Sequence, residues 1–185
     1  MPLHKLLRRK GKLYVLDTSL FVNPQVRKFF GNTVDEAVVN FLAAVAKLKD
    51  KEKAEFFMPP SVKKELQYFV EKELPSFRNI IVLKSPSLYE LKVPAILTYK
   101  LLDEIRHRVN AGLRVSEKFV REQKMPMEEK IHRLRQQYKS VLRDGIVDSE
   151  EDFEVIMLAK ELNAAIITAD LGLVKMAYDL GVLCT

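Results

Sequence analysis

The sequence predicts an α/β fold with a mostly parallel β-sheet, because short apolar runs alternate with helical repeats along its 185 residues. Two runs, Leu13–Leu16 and Ala164–Thr168, lack polar alternation, which is typical of parallel strands buried on both faces. An acid follows each run, Asp17 after the first and Asp170 after the second. Since open parallel sheets bind ligands at the carboxyl ends of their strands, we expect both acids to share one site.

The remaining predicted helices and strands lie between these runs or after the second one. Thr33 with Glu36 three residues later is a capping box, which predicts the start of an amphipathic helix. The other predicted elements are strands at Phe56–Met58 and Ile80–Leu83, a helix from Ser61, a helix over Asp148–Asn163, a last helix through Leu173, and a candidate terminal strand at Val182–Leu183.

A helical segment at about residues 94–143 contains no strand pattern and is predicted to be an insertion. Within it, Gly112 is expected to end a first helix and Pro126 to separate a second one. We therefore expect one α/β domain at residues 13–185 that carries this insertion, preceded by a basic arm at residues 1–12.

Composition favours an ordinary globular protein, with 48% hydrophobic and 30% charged residues. No apolar run approaches the roughly 20 residues that span a bilayer, so no membrane partner is expected. The basic start is not followed by the apolar core of a signal peptide. The single cysteine, Cys184, excludes an intramolecular disulfide and a cysteine-based zinc site, and it fits a reducing cytoplasm.

The net charge of +6 is unevenly distributed. Residues 1–12 carry five Lys or Arg and no acid, and residues 100–143 carry twelve Lys or Arg against six acids. Residues 144–185 carry nine acids and two lysines. This pattern favours a phosphate-binding surface beside a cation site, although solvated helix faces explain the basic segment equally well.

Two further acids, Asp148 and Asp152, lie four residues apart and therefore share a helix face that continues through Ile156. This is the face predicted to point to the core, where a carboxylate is unfavourable unless a cation or donor meets it. The other acids of this helix are expected on the opposite side: Glu150, Glu151 and Glu154.

Glu65 repeats the pattern, because it lies between Val62 and Leu66 on the apolar side of its predicted helix. A cluster of four or five carboxylates suits one or two Mg²⁺ or Mn²⁺ ions. Simpler roles remain open for each acid. Asp148 or its neighbour can cap a helix, Glu65 can form a salt bridge, and the strand-end acids can accept backbone N–H groups in turns.

Four segments together resemble the PIN-domain ribonucleases in residue type and order: Leu16–Ser19, Pro59–Leu66, Asp148 with Asp152, and Thr168–Asp170. Val15–Pro24 is moreover similar to the start of the minimal protein-only ribonuclease P family, HARP. Members of that family resemble this chain in length and in a helical hairpin before the third acidic motif. They are also known as RNA ligase partner proteins.

This resemblance implies a catalytic site at Asp17, Asp148, Asp152 and Asp170 that binds Mg²⁺ or Mn²⁺, with Glu65 matching a more general acidic position of PIN domains. It further implies an endoribonuclease that removes the 5′ leader from precursor tRNA without an RNA subunit and leaves a 5′-phosphate. Family members form homo-oligomers, which fits the apolar stripes on the predicted insertion helices.

The basic residues of the insertion are then expected to contact phosphates of a structured RNA without reading its sequence. These residues are Arg106, Arg108, Arg114, Arg121, Arg133, Arg135, Lys139 and Arg143.

Two alternatives remain at this point. One is a different PIN ribonuclease, such as a toxin or an enzyme of rRNA processing. The other is a non-catalytic RNA-binding or scaffold protein whose acids hold a structural cation. A phosphatase of the haloacid dehalogenase type is disfavoured, because it needs a second Asp where this chain has Ser19.

Overall fold

The computed structural model describes residues 13–71, 77–92, 94–122, 124–143 and 149–185. The basic arm at residues 1–12 and Asp148 lie outside these residues. The described residues form two compact units. The first draws on Met1–Lys92 and Ser149–Thr185, and the second lies within Val93–Asp148.

The first unit contains a four-stranded parallel sheet, which confirms the predicted fold class. Its strands are β1 (Leu13–Leu16), β2 (Glu55–Met58), β3 (Ile81–Leu83) and β4 (Ala165–Ile167). The strand order is β3-β2-β1-β4, and Leu16 pairs with Ile167. The residues that follow β1 and β4 therefore meet at the same edge of the sheet, although they are far apart in sequence.

Helices account for most of the remaining described residues. Along the chain they are α1 (Ser19–Val22), α2 (Pro24–Arg27), α3 (Val34–Glu52), α4 (Pro60–Gln67), α5 (Phe77–Ile80), α6 (Ala95–Arg121), α7 (Met127–Arg143), α8 (Glu150–Leu162) and α9 (Leu171–Asp179). The core of the first unit is formed by strand residues and by helix residues such as Phe21, Phe41 and Ile156, which are fully buried. This core lies on both sides of the sheet, because the strands carry apolar side chains on both faces.

The capping box predicted at Thr33 is present at the start of α3. Thr33 Oγ1 accepts a hydrogen bond from the Glu36 amide at 3.2 Å, and Glu36 Oε2 accepts one from the Thr33 amide at 3.4 Å. These contacts satisfy two amide groups that a helix start leaves without partners. The prediction from the local sequence is thus confirmed.

The chain end adds a single bridge to the sheet rather than the predicted strand at Val182–Leu183. Cys184 pairs with Ile166 in parallel, and the Ile166 amide donates to Leu183 O at 2.7 Å. The Thr185 amide donates to Ile166 O at 2.9 Å. Burial at this edge raises the pKa of the Cys184 thiol to about 11.

In the second unit, α6 runs through Gly112 without a break, so the predicted helix end at this glycine is wrong. A Cβ at residue 112 would lie 2.7 Å from Cε2 of Tyr138 in α7. Gly112 therefore permits a close approach of two helices rather than ending one. None of the helices in the described part of the chain is long and apolar enough to cross a membrane.

Candidate metal centre

The centre of the candidate site is Asp17, which directly follows β1. Its amide donates to Ile167 O at 3.2 Å and so continues the pairing of β1 with β4. Only 4% of Asp17 is exposed, and among the described residues only Asp17 and Thr18 are polar and buried. A carboxylate in such a place needs partners that offset its lost hydration.

The partners of Asp17 are neutral donors. Oδ2 accepts hydrogen bonds from the Ser19 amide at 3.3 Å, from Ser19 Oγ, and from Thr168 Oγ1 at 2.7 Å. No Lys, Arg or His among the described residues forms an ion pair with it. A buried negative charge surrounded by neutral groups fits a site that receives a cation.

Asp170 is tied to Asp17 through a threonine hydroxyl. The Asp170 amide donates to Thr168 Oγ1 at 2.9 Å, and this oxygen in turn donates to Asp17. These contacts link the Asp170 backbone to the Asp17 carboxylate, and the shared site of the two carboxylates stays a prediction. Asp170 Oδ1 also accepts a hydrogen bond from the Leu173 amide at 2.8 Å and so caps α9. For this oxygen, the simpler role of accepting a backbone N–H group is therefore present.

Glu65 reaches the same edge from α4. Pro59 and Pro60 start this helix directly after β2, and the buried Val62 and Leu66 hold it against the core. Glu65 Oε2 accepts a hydrogen bond from Thr18 Oγ1 at 2.7 Å. Within the described residues Glu65 has this hydrogen bond and no salt bridge, so the surface ion-pair alternative is not what the structure shows.

Helix α8 begins two residues later than predicted. Ser149 caps it, because Ser149 Oγ accepts the Asp152 amide at 3.2 Å. This contact sets Asp152 in the first turn with a half-buried side chain. Asp148 lies outside the described residues, so its predicted place beside Asp152 stays a prediction.

Glu154 is expected on the side of α8 opposite Asp152, and the structure adds that this side is not fully exposed to solvent. Ser61 Oγ donates to Glu154 Oε2, which joins α8 to the residues that follow β2. The helix has more than one buried face, because Val155–Ala159 are five consecutive buried residues. That apolar run was the signal in the sequence for a helix buried on several sides.

Two hydroxyl groups lie between the acids at this edge: Thr18 donates to Glu65 and lies 3.5 Å from Asp17, and Thr168 connects Asp17 to the Asp170 backbone amide. Among the described residues, no three His, Cys, Asp or Glu side chains meet in the geometry of a metal site. The side chains that are present nevertheless fit a hard divalent cation, because they are carboxylate oxygens around a buried charge. Asp17, Glu65 and Asp170 are the described acids whose residues make these contacts.

The second unit carries the basic residues predicted to contact RNA. Arg106, Arg108 and Arg114 line a cavity of about 380 Å³ on α6, to which Val141 of α7 contributes. Some of the predicted set are partly neutralised within a helix. Arg108 pairs with Glu104 at 3.1 Å, and Arg133 pairs with Glu129 at 2.6 Å.

The family and the individual proteins that are similar to this chain are all described as ribonucleases. The family described as PINc domain ribonuclease matches residues 13–185. The RNA-free ribonuclease P of Thermococcus kodakarensis is 46% identical over 174 residues, which cover 91% of this chain and 87% of that protein. Proteins of the same name from Pyrococcus furiosus and Thermodesulfovibrio yellowstonii are 46% and 44% identical, over 91% and 94% of this chain and 85% and 89% of their own lengths.

Proposed function

Because the chain belongs to the PINc domain ribonucleases and, among them, to the RNA-free ribonuclease P proteins, we propose that it removes the 5′ leader of precursor tRNA by metal-dependent hydrolysis. It acts without an RNA subunit and in the cytoplasm. Metal dependence is supported by the buried Asp17 carboxylate, whose partners among the described residues are neutral donors where β1 and β4 end.

Asp17, Asp148, Asp152 and Asp170 would hold one or two divalent cations, Mg²⁺ or Mn²⁺, with Glu65 as a further ligand. When bound, such a cation acidifies a water molecule and polarises the phosphate. The protein's own contribution is to fix the carboxylates. Asp17 is held by Ser19 and Thr168, Glu65 by Thr18, and Asp170 by its place as the cap of α9.

Substrate binding is assigned to the second unit. Its basic side chains would contact RNA phosphates over some distance, and such binding weakens steeply as salt rises. Exposed apolar residues on α6, such as Leu102, Val109 and Leu113, support self-association of the chain. Hydrolysis by water would leave a 5′-phosphate on the tRNA and a 3′-hydroxyl on the leader.

The test is cleavage of 5′-labelled precursor tRNA by the purified full chain in Mg²⁺. We expect one discrete leader fragment, its loss in EDTA, and its loss in Asp17→Asn. Asp35→Asn is the matched control, because Asp35 lies in the first turn of α3 and contacts the Glu71 amide.

Each alternative predicts a different result in this assay. Cuts at several unrelated sites would favour a PIN ribonuclease of another kind. RNA binding without any cleavage by the wild type would favour a scaffold protein and reject the proposal.

A further inference from the structure

Two hydroxyl groups direct their protons to one oxygen of Asp17. Ser19 Oγ accepts the Ala169 amide at 2.8 Å, and Thr168 Oγ1 accepts the Asp170 amide at 2.9 Å. A hydroxyl has a single proton, and an amide bond to its oxygen leaves that proton free to be donated. Both hydroxyls lie within hydrogen-bond distance of Asp17 Oδ2, and the 3.0 Å contact between Ser19 Oγ and Thr168 Oγ1 is the longer alternative for either proton, so we assign both protons to Oδ2.

The other oxygen of Asp17 is left open. Thr18 Oγ1 lies 3.5 Å from Asp17 Oδ1 but 2.7 Å from Glu65 Oε2. The one proton of Thr18 therefore goes to Glu65, since a contact of 3.5 Å is a weak hydrogen bond at best. Within the described residues Oδ1 accepts no shorter bond, whereas Oδ2 accepts three.

From this asymmetry we propose that Thr168 is a positioning residue, which holds Asp17 so that Oδ1 is the oxygen offered to the divalent cation. This inference rests on the proposed function, in which Asp17 is a metal ligand. Ser19 lies only two residues from Asp17, although its hydroxyl also contacts the Ala169 amide. Thr168 comes from the neighbouring strand end and is itself held by the Asp170 amide. Thr168 therefore fixes the Asp17 carboxylate relative to the backbone of Asp170, which follows the neighbouring strand β4.

The expected size of the effect follows from how metal sites are supported. Groups that hydrogen-bond to a ligating carboxylate orient it, and their loss typically reduces metal affinity by roughly 10- to 100-fold. Thr168→Val keeps the shape of the side chain but removes the donor to Asp17 and the acceptor for the Asp170 amide. Thr168→Ser keeps both hydrogen bonds.

The experiment is Mn²⁺ binding to the purified full chain, followed by electron paramagnetic resonance of the free ion. Thr168→Val should weaken binding by about 10-fold or more, while Thr168→Ser should bind nearly as the wild type does. Thr185→Val is the matched control, because Thr185 Oγ1 is buried and has no hydrogen-bond partner among the described residues. It should leave binding unchanged.

Thermal unfolding without metal tests whether each variant folds. Should Thr168→Val fail to fold, Thr168→Ala removes the same hydroxyl and must weaken Mn²⁺ binding instead. Wild-type affinity in a folded Thr168→Val, or in Thr168→Ala if that variant must decide, overturns the inference while the proposed function stands, provided Asp17→Asn still loses Mn²⁺. A wild type that neither binds Mn²⁺ nor cleaves precursor tRNA rejects the proposed function itself.

Discussion

Thr18 donates a hydrogen bond to Glu65 across 47 residues of chain, with 2.7 Å between Oγ1 and Oε2. Thr18 directly follows Asp17 and is almost as deeply buried. The contact therefore places the Glu65 carboxylate, on α4, next to the residues that directly follow β1. Glu65, predicted on the apolar side of its helix, thus lies beside the residue that follows the buried Asp17.

Glu65→Gln should raise the Mg²⁺ concentration needed for half-maximal cleavage by roughly 10-fold, since the amide oxygen still accepts from Thr18 but the charge is gone. The measurement is the initial cleavage rate of precursor tRNA against Mg²⁺ concentration. Glu90→Gln, at an exposed position, is the control. An unchanged Mg²⁺ dependence in Glu65→Gln would remove this residue from the proposed site.

Asp17→Asn should reduce single-turnover cleavage by more than about 100-fold. Loss of a residue that only hydrogen-bonds to a metal ligand already reduces metal affinity or activity by roughly 10- to 100-fold, and Asp17 is proposed to be a ligand itself. The donors Ser19 and Thr168 hold an acceptor at the Oδ2 position, so the amide NH₂ must take the place of Oδ1. Filter binding should show unchanged affinity for precursor tRNA. A loss of RNA affinity equal to the loss of cleavage would mean that Asp17 has another role.

Two substitutions at Asp170 distinguish its effect on folding stability from its effect on cleavage. Asp170→Ala removes the cap of α9 and should lower the free energy of unfolding by about 1 kcal/mol, whereas Asp170→Asn keeps a capping oxygen. Both should lose cleavage, because both remove the charge. Urea unfolding followed by circular dichroism measures the first effect. Equal stability of the two variants would contradict the capping role seen at Leu173.

Cys184 should react slowly with iodoacetamide in the folded protein. Burial raises its pKa from 9.0 to about 11, so at pH 9.0 the folded thiol should be alkylated about 50-fold more slowly than the thiol of the urea-unfolded chain. The folded state keeps this proton to a higher pH than the unfolded chain. Its contribution to stability is therefore present below pH 9 and is lost as the pH rises through 11. Equal labelling rates would show that the thiol is not buried.

Arg114→Gln should weaken binding of precursor tRNA and reduce the slope of log affinity against log salt by about 1 if this side chain contacts one phosphate. The Mg²⁺ dependence of cleavage should stay unchanged, since a guanidinium group is not a ligand for a cation. Fluorescence anisotropy over a range of salt concentrations measures the slope. An unchanged slope would exclude a phosphate contact at this residue.

Much of the fold was predictable because its signals are local. The apolar runs of β1 and β4 and the capping box at Thr33 lie within a few neighbouring residues. The packing of α6 against α7 was not predictable in this way. Gly112 is typical of a helix end, and only the structure shows the Tyr138 ring that it accommodates.

The candidate site shows the same contrast between local signals, which the sequence contains, and long-range contacts, which it does not. Asp17, Asp170 and Glu65 are predicted as candidate site residues from their positions after strands or on an apolar helix face. The hydroxyl contacts around them depend on strand pairing, since Ser19 and Thr168 are 149 residues apart. The contact of Glu154 was not predictable for a similar reason, because its partner Ser61 comes from a distant helix.

The contact between Gly112 and Tyr138 also limits how the family can diverge. The Tyr138 ring occupies the space that a Cβ at residue 112 would need. Among related sequences, a larger residue at the first position should therefore occur together with a smaller one at the second. The two positions are expected to covary, although they lie on different helices.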